Sequence, residues 1–332
     1  MFFKVRRGRI DQATPTATRK ASFAANHLEV RMFNVGAGEA VLVVLPDGRV
    51  WIVDCGSGNH PKGDNRKLGK GIANYMAAQG LTLAAMIATH PHIDHCGAYR
   101  WLLDEHPALA PDVLFIRADE NWDVDRVWIT DLDTRLAQIG ADTIVLVDSH
   151  RVVEIDDDTT AHLFAAHGAD AYTSVWLHLR YKDTALLFTG DVHCDHEKLL
   201  TGLFSDYDLT ADVLKITHHG SSSGTSAALV DRVRQGISLA STTAVHHHRL
   251  EADTLERVGG LGRPRRVFET VIDGDITLRT DGDEFGDGVL YQAEFDSPGV
   301  FAAEIGATTV PLAQLNKDRN EERPAIDDPD CT

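Results

Sequence analysis

The stretch that most constrains this chain is Thr89-His90-Pro91-His92-Ile93-Asp94-His95-Cys96-Gly97. Three histidines and a carboxylate fall within six residues, directly after the apolar run Leu83 to Ala88. A short run of that kind reads as a buried strand, which puts the polar residues in the loop leaving its end. Histidines two apart in an extended segment point the same way, and a tight loop can fold Asp94 and His95 back beside them. Neutral imidazoles with a carboxylate suit zinc, or manganese and iron where oxygen ligands are added. The plain alternative is a solvated polar loop, but H-x-H-x-D-H at a strand end is a specific pattern.

Composition narrows the setting. The chain has 332 residues, 43% hydrophobic, enough for one large core or two modest ones. No apolar run approaches the ~20 residues that span a bilayer, and no long apolar segment follows the first residues as in a secretory signal. The four cysteines (Cys55, Cys96, Cys194 and Cys331) show no paired spacing and no C-x-x-C. That reads as free thiols in a reducing, cytoplasmic compartment, and leaves any metal to histidine and carboxylate. The formal net charge of −18 weighs against a broad nucleic-acid footprint, although a local basic groove is compatible with it. Nothing in the sequence sets an oligomeric state.

Along the chain, residues 1–26 are polar and basic with little pattern and read as a flexible arm. Residues 27–305 form the ordered domain, and residues 306–332, charged and proline-containing, read as a disordered tail. Strands are expected where Leu28, Val30 and Met32 alternate with charges, at Val41 to Leu45, and at Val50 to Val53 after the turn Pro46-Asp47-Gly48-Arg49. Leu68 to Gln79 has helical spacing and stops at Gly80. Residues 120–140 suggest a helical flap. In the second half, strands are expected at 174–180, 185–189, 211–216, 237–242 and 274–279, with a hairpin turn at Tyr181-Lys182-Asp183-Thr184 and a helix at 197–203. This alternation predicts helices packed outside sheets.

Later polar clusters fall where apolar runs end: His167 after Ala161–Phe164, Asp191 after Leu186–Thr189, and His218-His219 after Val213–Ile216. Several such coincidences at one end of layered sheets point to a polynuclear metal site. Asp191 is the natural bridging carboxylate, since one acid can share its oxygens between cations ~3.5–4 Å apart. Taken alone it is equally a turn aspartate after glycine.

These stretches together resemble the metallo-β-lactamase superfamily, and within it the hydrolase domain of ComEC-type competence proteins. The resemblance runs from Phe33 to Ser221, through Phe33–Ala40, Leu45–Gly48, Val53–Gly56, Thr89–Gly97, Thr173–Val175, Leu187–Asp191 and Asp212–Ser221. It implies an α/β fold, a four-layer αββα sandwich, with a two-metal site at one edge of two packed sheets. By the resemblance His90, His92 and His167 hold one divalent cation. Asp94, His95 and a histidine of the His218-His219 pair hold the other, with Asp191 bridging; zinc is the first choice and manganese the second. Adjacent residues on an extended segment point to opposite sides, so His219 is the favoured ligand and His218 a contact for the substrate's oxyanion. Asp94, Asp191 and His218 form the catalytic set, around a hydroxide generated between the cations.

The chain departs from the ComEC pattern at Asn34, where an aspartate is expected, and at Thr173, where an asparagine is expected. It departs again at His246-His247-His248-Arg249, in place of Gly-His-Pro. The triple histidine leaves open whether His247 or His248 supplies a ligand. With no membrane segment, the resemblance implies a stand-alone hydrolase rather than a transporter. His193 and His196 read as the exposed side of a helix, Cys96 and Cys194 as small buried side chains, and Ser221-Ser222-Ser223-Gly224 as a flexible loop. The expected activity is that of a phosphodiesterase or nuclease, with Lys215, if it points inward, as a second oxyanion contact and Arg249 and Arg263-Pro264-Arg265-Arg266 as phosphate contacts. Two alternatives stand beside it: hydrolysis of a small ester, lactone or lactam, and a partner-dependent effector module.

Overall fold

The computed structural model describes residues 1–58, 64–105, 112–118, 127–166, 174–244, 248–259, 266–305, 307–315 and 331. Continuous apolar runs become the inner strands. In the first sheet these are β3 (Leu28–Met32), β4 (Ala40–Val44), β5 (Arg49–Cys55), β6 (Thr82–Ala88) and β7 (Leu114–Ala118), with β8 (Asp142–Leu146) at the edge. In the second sheet they are β10 (Thr159–Ala165), β11 (Trp176–Tyr181), β12 (Thr184–Phe188), β13 (Val213–Lys215) and β14 (Ile237–Ala240), with the largely exposed β9 (Ser149–Asp156) and the short β15 (Val267–Glu269) at the edges, in the order β15-β14-β13-β12-β11-β10-β9. The hairpin β16 (Asp275–Phe285) and β17 (Gly288–Asp296) returns to the first sheet, β16 pairing with β3.

Side-chain alternation explains the layering. In β4, Val41 and Val43 face the core between the sheets, while Leu42 faces the outer helices; in β12, Leu186 and Phe188 face inward and Leu187 outward. Outside the first sheet, Leu42, Ile52 and Met86 meet Leu68, Ile72 and Met76 of α2 (Asn65–Gln79) and Leu132 of α5 (Val127–Ile139). Outside the second, Leu187 and Leu214 meet Leu200 of α6 (Cys194–Leu203) and Leu229 and Val233 of α7 (Ala227–Val233). Two sheets face to face with a helix layer on each outer side give the αββα sandwich. Strands β5 to β8 and β12 to β15 are parallel, so several loops open at one end of the sandwich.

Three sequence expectations need correction. Residues 1–26 are not an arm: β1 (Phe2–Arg6) and β2 (Arg9–Gln12) form a hairpin, β1 pairing with β17, and α1 (Ala17–Ala25) starts at a Thr16 cap. Phe3 and Val5 are buried against the central core, an alternation too short to stand out among basic neighbours. The last strand is not a single run to Arg279 but the long β16–β17 hairpin. Cys194 and Cys331 are joined by a disulfide, whereas Cys55 and Cys96 are buried free thiols. The free-thiol argument for a cytoplasmic setting therefore holds for only one of the two cysteine pairs. Of the expected tail, 306, 316–330 and 332 lie outside the described residues; of the flap, 127–139 is helix α5 and 120–126 lies outside them. Among the described residues no helix is long and apolar enough to cross a membrane.

Candidate metal centre

The chain leaves β6 through Thr89, whose backbone N–H and hydroxyl both donate to the buried Asp54 carboxylate, at 2.8 and 2.7 Å. The single helical turn α3 (Ile93–Cys96) then swings Asp94 and His95 back over the end of β6. Two loops from neighbouring strands press on this turn, and both need glycine. A Cβ on Gly56 would sit 2.6 Å from the His95 amide nitrogen, and one on Gly38 would sit 2.8 Å from the Asp94 carbonyl oxygen. The Gly-rich loops after β3 and β5 are thus the floor of the site.

Side chains from three separate loops converge above that floor: His90, His92, Asp94 and His95 after β6, Asp191 after β12 and His219 after β13. The His95 Nε2 is 3.0 Å from Asp191 Oδ2 and 3.2 Å from His219 Nε2. His219 Nε2 is 3.3 Å from the same aspartate oxygen and 3.8 Å from Asp94 Oδ2. His90 Nε2 is 3.9 Å from Asp191 Oδ2 and 2.9 Å from His92 Nδ1. Within this constellation His90, His95 and Asp191 form one group whose candidate ligand atoms lie within 4.8 Å of each other, and Asp94, His95 and His219 form a second. Asp191, following Gly190 at the end of β12, sits between the two.

Partners behind the rings set which nitrogen faces inward. His95 Nδ1 donates to Asp54 Oδ2 at 2.7 Å and His219 Nδ1 donates to the Ser241 carbonyl at 3.0 Å. Each therefore turns its Nε2 toward Asp191, the nitrogen that a cation would take in place of a proton. Burial alone would depress His95, but the Asp191, Asp54 and Asp94 carboxylates push its pKa well above the ordinary value. Burial favours a protonated Asp191, yet His219, His95 and His218 hold its pKa well below the usual range. Converging carboxylates thus call for positive charge at the centre. Asp191 Oδ1 is buried and accepts no hydrogen bond, its nearest cation being Lys215 Nζ at 3.8 Å. An unsatisfied carboxylate oxygen beside two inward-facing imidazoles fits a divalent cation of the zinc or manganese class.

The segment after β13 is not extended. His218 and His219 both lie in the left-handed region, at φ 48° and 53°, a conformation uncommon for histidine. The kink turns His219 into the cluster and stacks His218 on His193, ring centroids 5.1 Å apart. Burial, opposed by the Asp191 carboxylate and reinforced by His219, leaves the His218 pKa lowered to about 4. His248 packs on His219 at 4.5 Å, and burial lowers its pKa to about 3. His167, His246, His247, Arg263 and Arg265 lie outside the described residues.

Some residues beside the site were missed in the sequence or read in another role. Glu39 and Lys215 form an ion pair with both side chains fully buried, so Lys215 points inward but is held by Glu39 and Asp191 rather than facing substrate. Glu197 of α6 is buried and accepts from the backbone N–H groups of Thr225 and Ser226 at 2.6 and 2.8 Å and from the Thr217 hydroxyl. Arg257 donates to the Ser222 and Gly224 carbonyls. The serine-rich loop is therefore pinned rather than floppy. His196 is buried, not on an exposed helix side, and Arg249 is likewise buried. The only local signal for Glu39 and Lys215 was their place beside a Gly-rich loop and at a strand end.

A family model for the metallo-beta-lactamase superfamily matches residues 34–244. The chain is 24% identical over 277 residues to ComE operon protein 3 of Bacillus subtilis (strain 168), an overlap of 76% of this chain and 33% of that protein. It is 22% identical over 228 residues to the uncharacterized protein YcaI of Escherichia coli (strain K12), 69% of this chain and 27% of that one. The chain thus spans no more than about a third of the length of these curated relatives. Among solved structures it is similar to the metallo-beta-lactamase fold protein YhfI from Bacillus subtilis, at 13% identity and a TM-score of 0.47, covering 73% of this chain and 96% of that one. Human tRNase Z, short form, matches at 15% identity and a TM-score of 0.41, with 64% and 90% covered.

Proposed function

Because the chain belongs to the metallo-beta-lactamase superfamily, whose members are generally hydrolases, we propose that it is a phosphodiesterase of the nuclease kind working with two divalent cations, zinc or manganese. The observation that carries this reading is the convergence of His90, Asp94, His95, Asp191 and His219 at one end of the sandwich, two ring nitrogens facing one buried carboxylate. His90 and His92 would hold one cation, with His167 as their remaining candidate partner; Asp94, His95 and His219 would hold the other, and Asp191 would share its oxygens between them. Two cations so held supply the charge that makes water ionise near neutral pH and that offsets charge building on a phosphoryl oxygen.

The chain's own residues prepare that chemistry. Asp54 and the Ser241 carbonyl fix the tautomers of His95 and His219. The Ser174 hydroxyl accepts from the Asp191 N–H at 3.2 Å, holding the carboxylate in place. Lys215 offsets part of the carboxylate charge behind the site, itself balanced by Glu39. His218, uncharged at neutral pH and braced on His193, is the candidate donor to a substrate oxygen. The resemblance of the motif stretches to ComEC-type hydrolase domains supports a phosphodiester over a lactone or lactam.

The test is a substrate panel on purified chain supplied with Mn²⁺ or Zn²⁺. Hydrolysis of bis-p-nitrophenyl phosphate and of single-stranded DNA is expected. Turnover confined to lactones or β-lactams would sink the phosphodiester reading and leave the small-ester one.

A further inference from the structure

The end of the sandwich opposite the metal cluster carries a second concentration of charge, of the other sign. The β1–β2 turn is Arg6-Arg7-Gly8-Arg9, with Arg7 and Arg9 exposed. Gly8 takes a positive φ of 68° and is gripped from both sides: its N–H donates to the Arg234 carbonyl at 2.5 Å, and its carbonyl accepts from Arg266 Nη1 at 3.0 Å. Arg234 caps α7 and Arg266 precedes β15, so the Arg7–Arg9 turn is fastened to the Arg234 backbone and the Arg266 side chain, which brings arginines from three parts of the chain together at one glycine. Among the described residues none of Arg7, Arg9, Arg234 and Arg266 forms an ion pair with a carboxylate, in a chain with 50 acidic and 32 basic residues.

The surface there is notched rather than flat. A cavity of about 550 Å³ opens on one side of the turn, lined by Gly8, Arg234, Arg257 and Arg266, with Asp231 its one acid. A second, of about 330 Å³, opens on the other side, where Arg6, Arg7, Arg180 and Lys182 face Asp183, Asp208 and Asp212. Asp212 is turned inward, accepting from the Thr184 hydroxyl and the Ala185 N–H. The acids beside these arginines, Asp231 in one cavity and Asp208 and Asp212 in the other, offset their charge only in part, and an anion lying between the guanidinium groups makes the arrangement more favourable. Guanidinium forks pair with phosphate oxygens in a planar, bidentate manner. None of the exposed large apolar side chains of the described residues (Leu199 and Leu203 of α6 among them) belongs to this turn or lines either cavity, so the apolar anchors of a membrane-docking face are missing there.

We infer that the Arg7-Gly8-Arg9 turn, with Arg234 and Arg266, is a docking site for the phosphodiester backbone of a single-stranded nucleic acid, at the end of the fold away from the metals. Its choice of partner rests on the phosphodiesterase reading of the metal cluster. Arg234 precedes the four-residue β14 and Ser241 follows it, so the strand alone puts more than about 13 Å between them. A dinucleotide-sized ester cannot reach both places; a longer strand can.

Fluorescence anisotropy of a labelled, phosphorothioate-linked 20-nucleotide strand on the full, metal-loaded chain tests this, with the Arg7→Gln/Arg9→Gln double variant as the probe. Those two side chains support no described hydrogen bond in the fold, so the variant should melt as the parent does. Four phosphate contacts give a slope of log affinity against log salt of about −2.8, or roughly 50-fold weaker binding between 50 and 200 mM salt. The double variant should flatten that slope by about 1.4, while turnover of bis-p-nitrophenyl phosphate, too small to touch the turn, stays unchanged. Equal slopes for parent and variant, no binding of the strand, or binding only to vesicles containing phosphatidylserine would each overturn the docking site, even with full bis-p-nitrophenyl phosphate activity. Turn-dependent strand binding without any phosphodiester hydrolysis would instead uphold the docking site and remove the phosphodiesterase reading.

Discussion

Replacing Asp54 by asparagine isolates the orientation of one imidazole. Asp54 is fully buried and receives three hydrogen bonds, from the Thr89 N–H at 2.8 Å, the Thr89 hydroxyl at 2.7 Å and His95 Nδ1 at 2.7 Å. Its backbone sits at φ 57°, a conformation asparagine tolerates well, so the loop itself should survive. The new amide keeps one acceptor oxygen but turns an NH₂ toward groups that formerly donated. His95 then accepts at Nδ1 and carries its proton on Nε2, the nitrogen 3.0 Å from Asp191 and 3.2 Å from His219. The lone pair that a cation would use is lost from the centre. Changes to such outer partners cost about 10–100-fold in metal affinity, equivalent to roughly 1.4–2.7 kcal/mol. Competition titration of zinc against a chromophoric chelator measures this directly, with a melting curve in EDTA as the control for folding. A variant that folds and binds zinc as tightly as the parent would refute the claim that Asp54 sets the His95 tautomer for metal.

Other consequences follow from the same contacts. Lys215→Met leaves Glu39 buried and unpaired, which should cost about 3–5 kcal/mol in urea unfolding, and Glu39→Gln in the same chain should recover part of it; additive losses would speak against the pairing. His178, fully buried between the Tyr207 hydroxyl and the Thr210 carbonyl, has its pKa lowered by burial, and then by Arg180, to about 3. Above the unfolded value near 6.5 it is neutral in both states; below it only the unfolded chain takes up the proton. Stability is therefore lost as pH falls, by about 2 kcal/mol at pH 5 from this group alone. Urea midpoints of His178→Gln should show a shallower acid limb, and an unchanged limb would remove this group from the account. Gly56→Ala forces a methyl group against the backbone of the 93–95 turn and should abolish zinc binding while leaving far-UV circular dichroism intact.

The clustering of the His90–His95 loop was legible because everything it needs is local: an apolar strand, then polar residues at fixed spacing. Asp191 was legible for a similar reason, as a Gly-Asp step after the β12 run. The His218–His219 geometry was not, because nothing in adjacent histidines announces two left-handed residues; the kink is imposed by packing against Gly190, Leu250 and the Glu197-held loop. The Glu39–Lys215 pair was hidden because its partners lie on different sheets, so Lys215 reads as an oxyanion contact and nothing in the sequence ties it to Glu39. The β1–β2 hairpin was hidden because Phe3 and Val5 are only two inward residues among arginines and lysine. Cysteine spacing could not reveal a bond between Cys194 and Cys331, which come together only through the fold.

The central claim is that Asp191 joins two cations in one hydrolytic centre. It is tested most directly by metal analysis of the purified chain and of Asp191→Asn, read alongside bis-p-nitrophenyl phosphate turnover. The parent should carry two equivalents of zinc or manganese and hydrolyse the ester, while the variant should retain at most one equivalent and lose turnover by at least 100-fold, about 2.7 kcal/mol of transition-state stabilisation. Equal metal content and equal turnover in the two proteins would contradict the account.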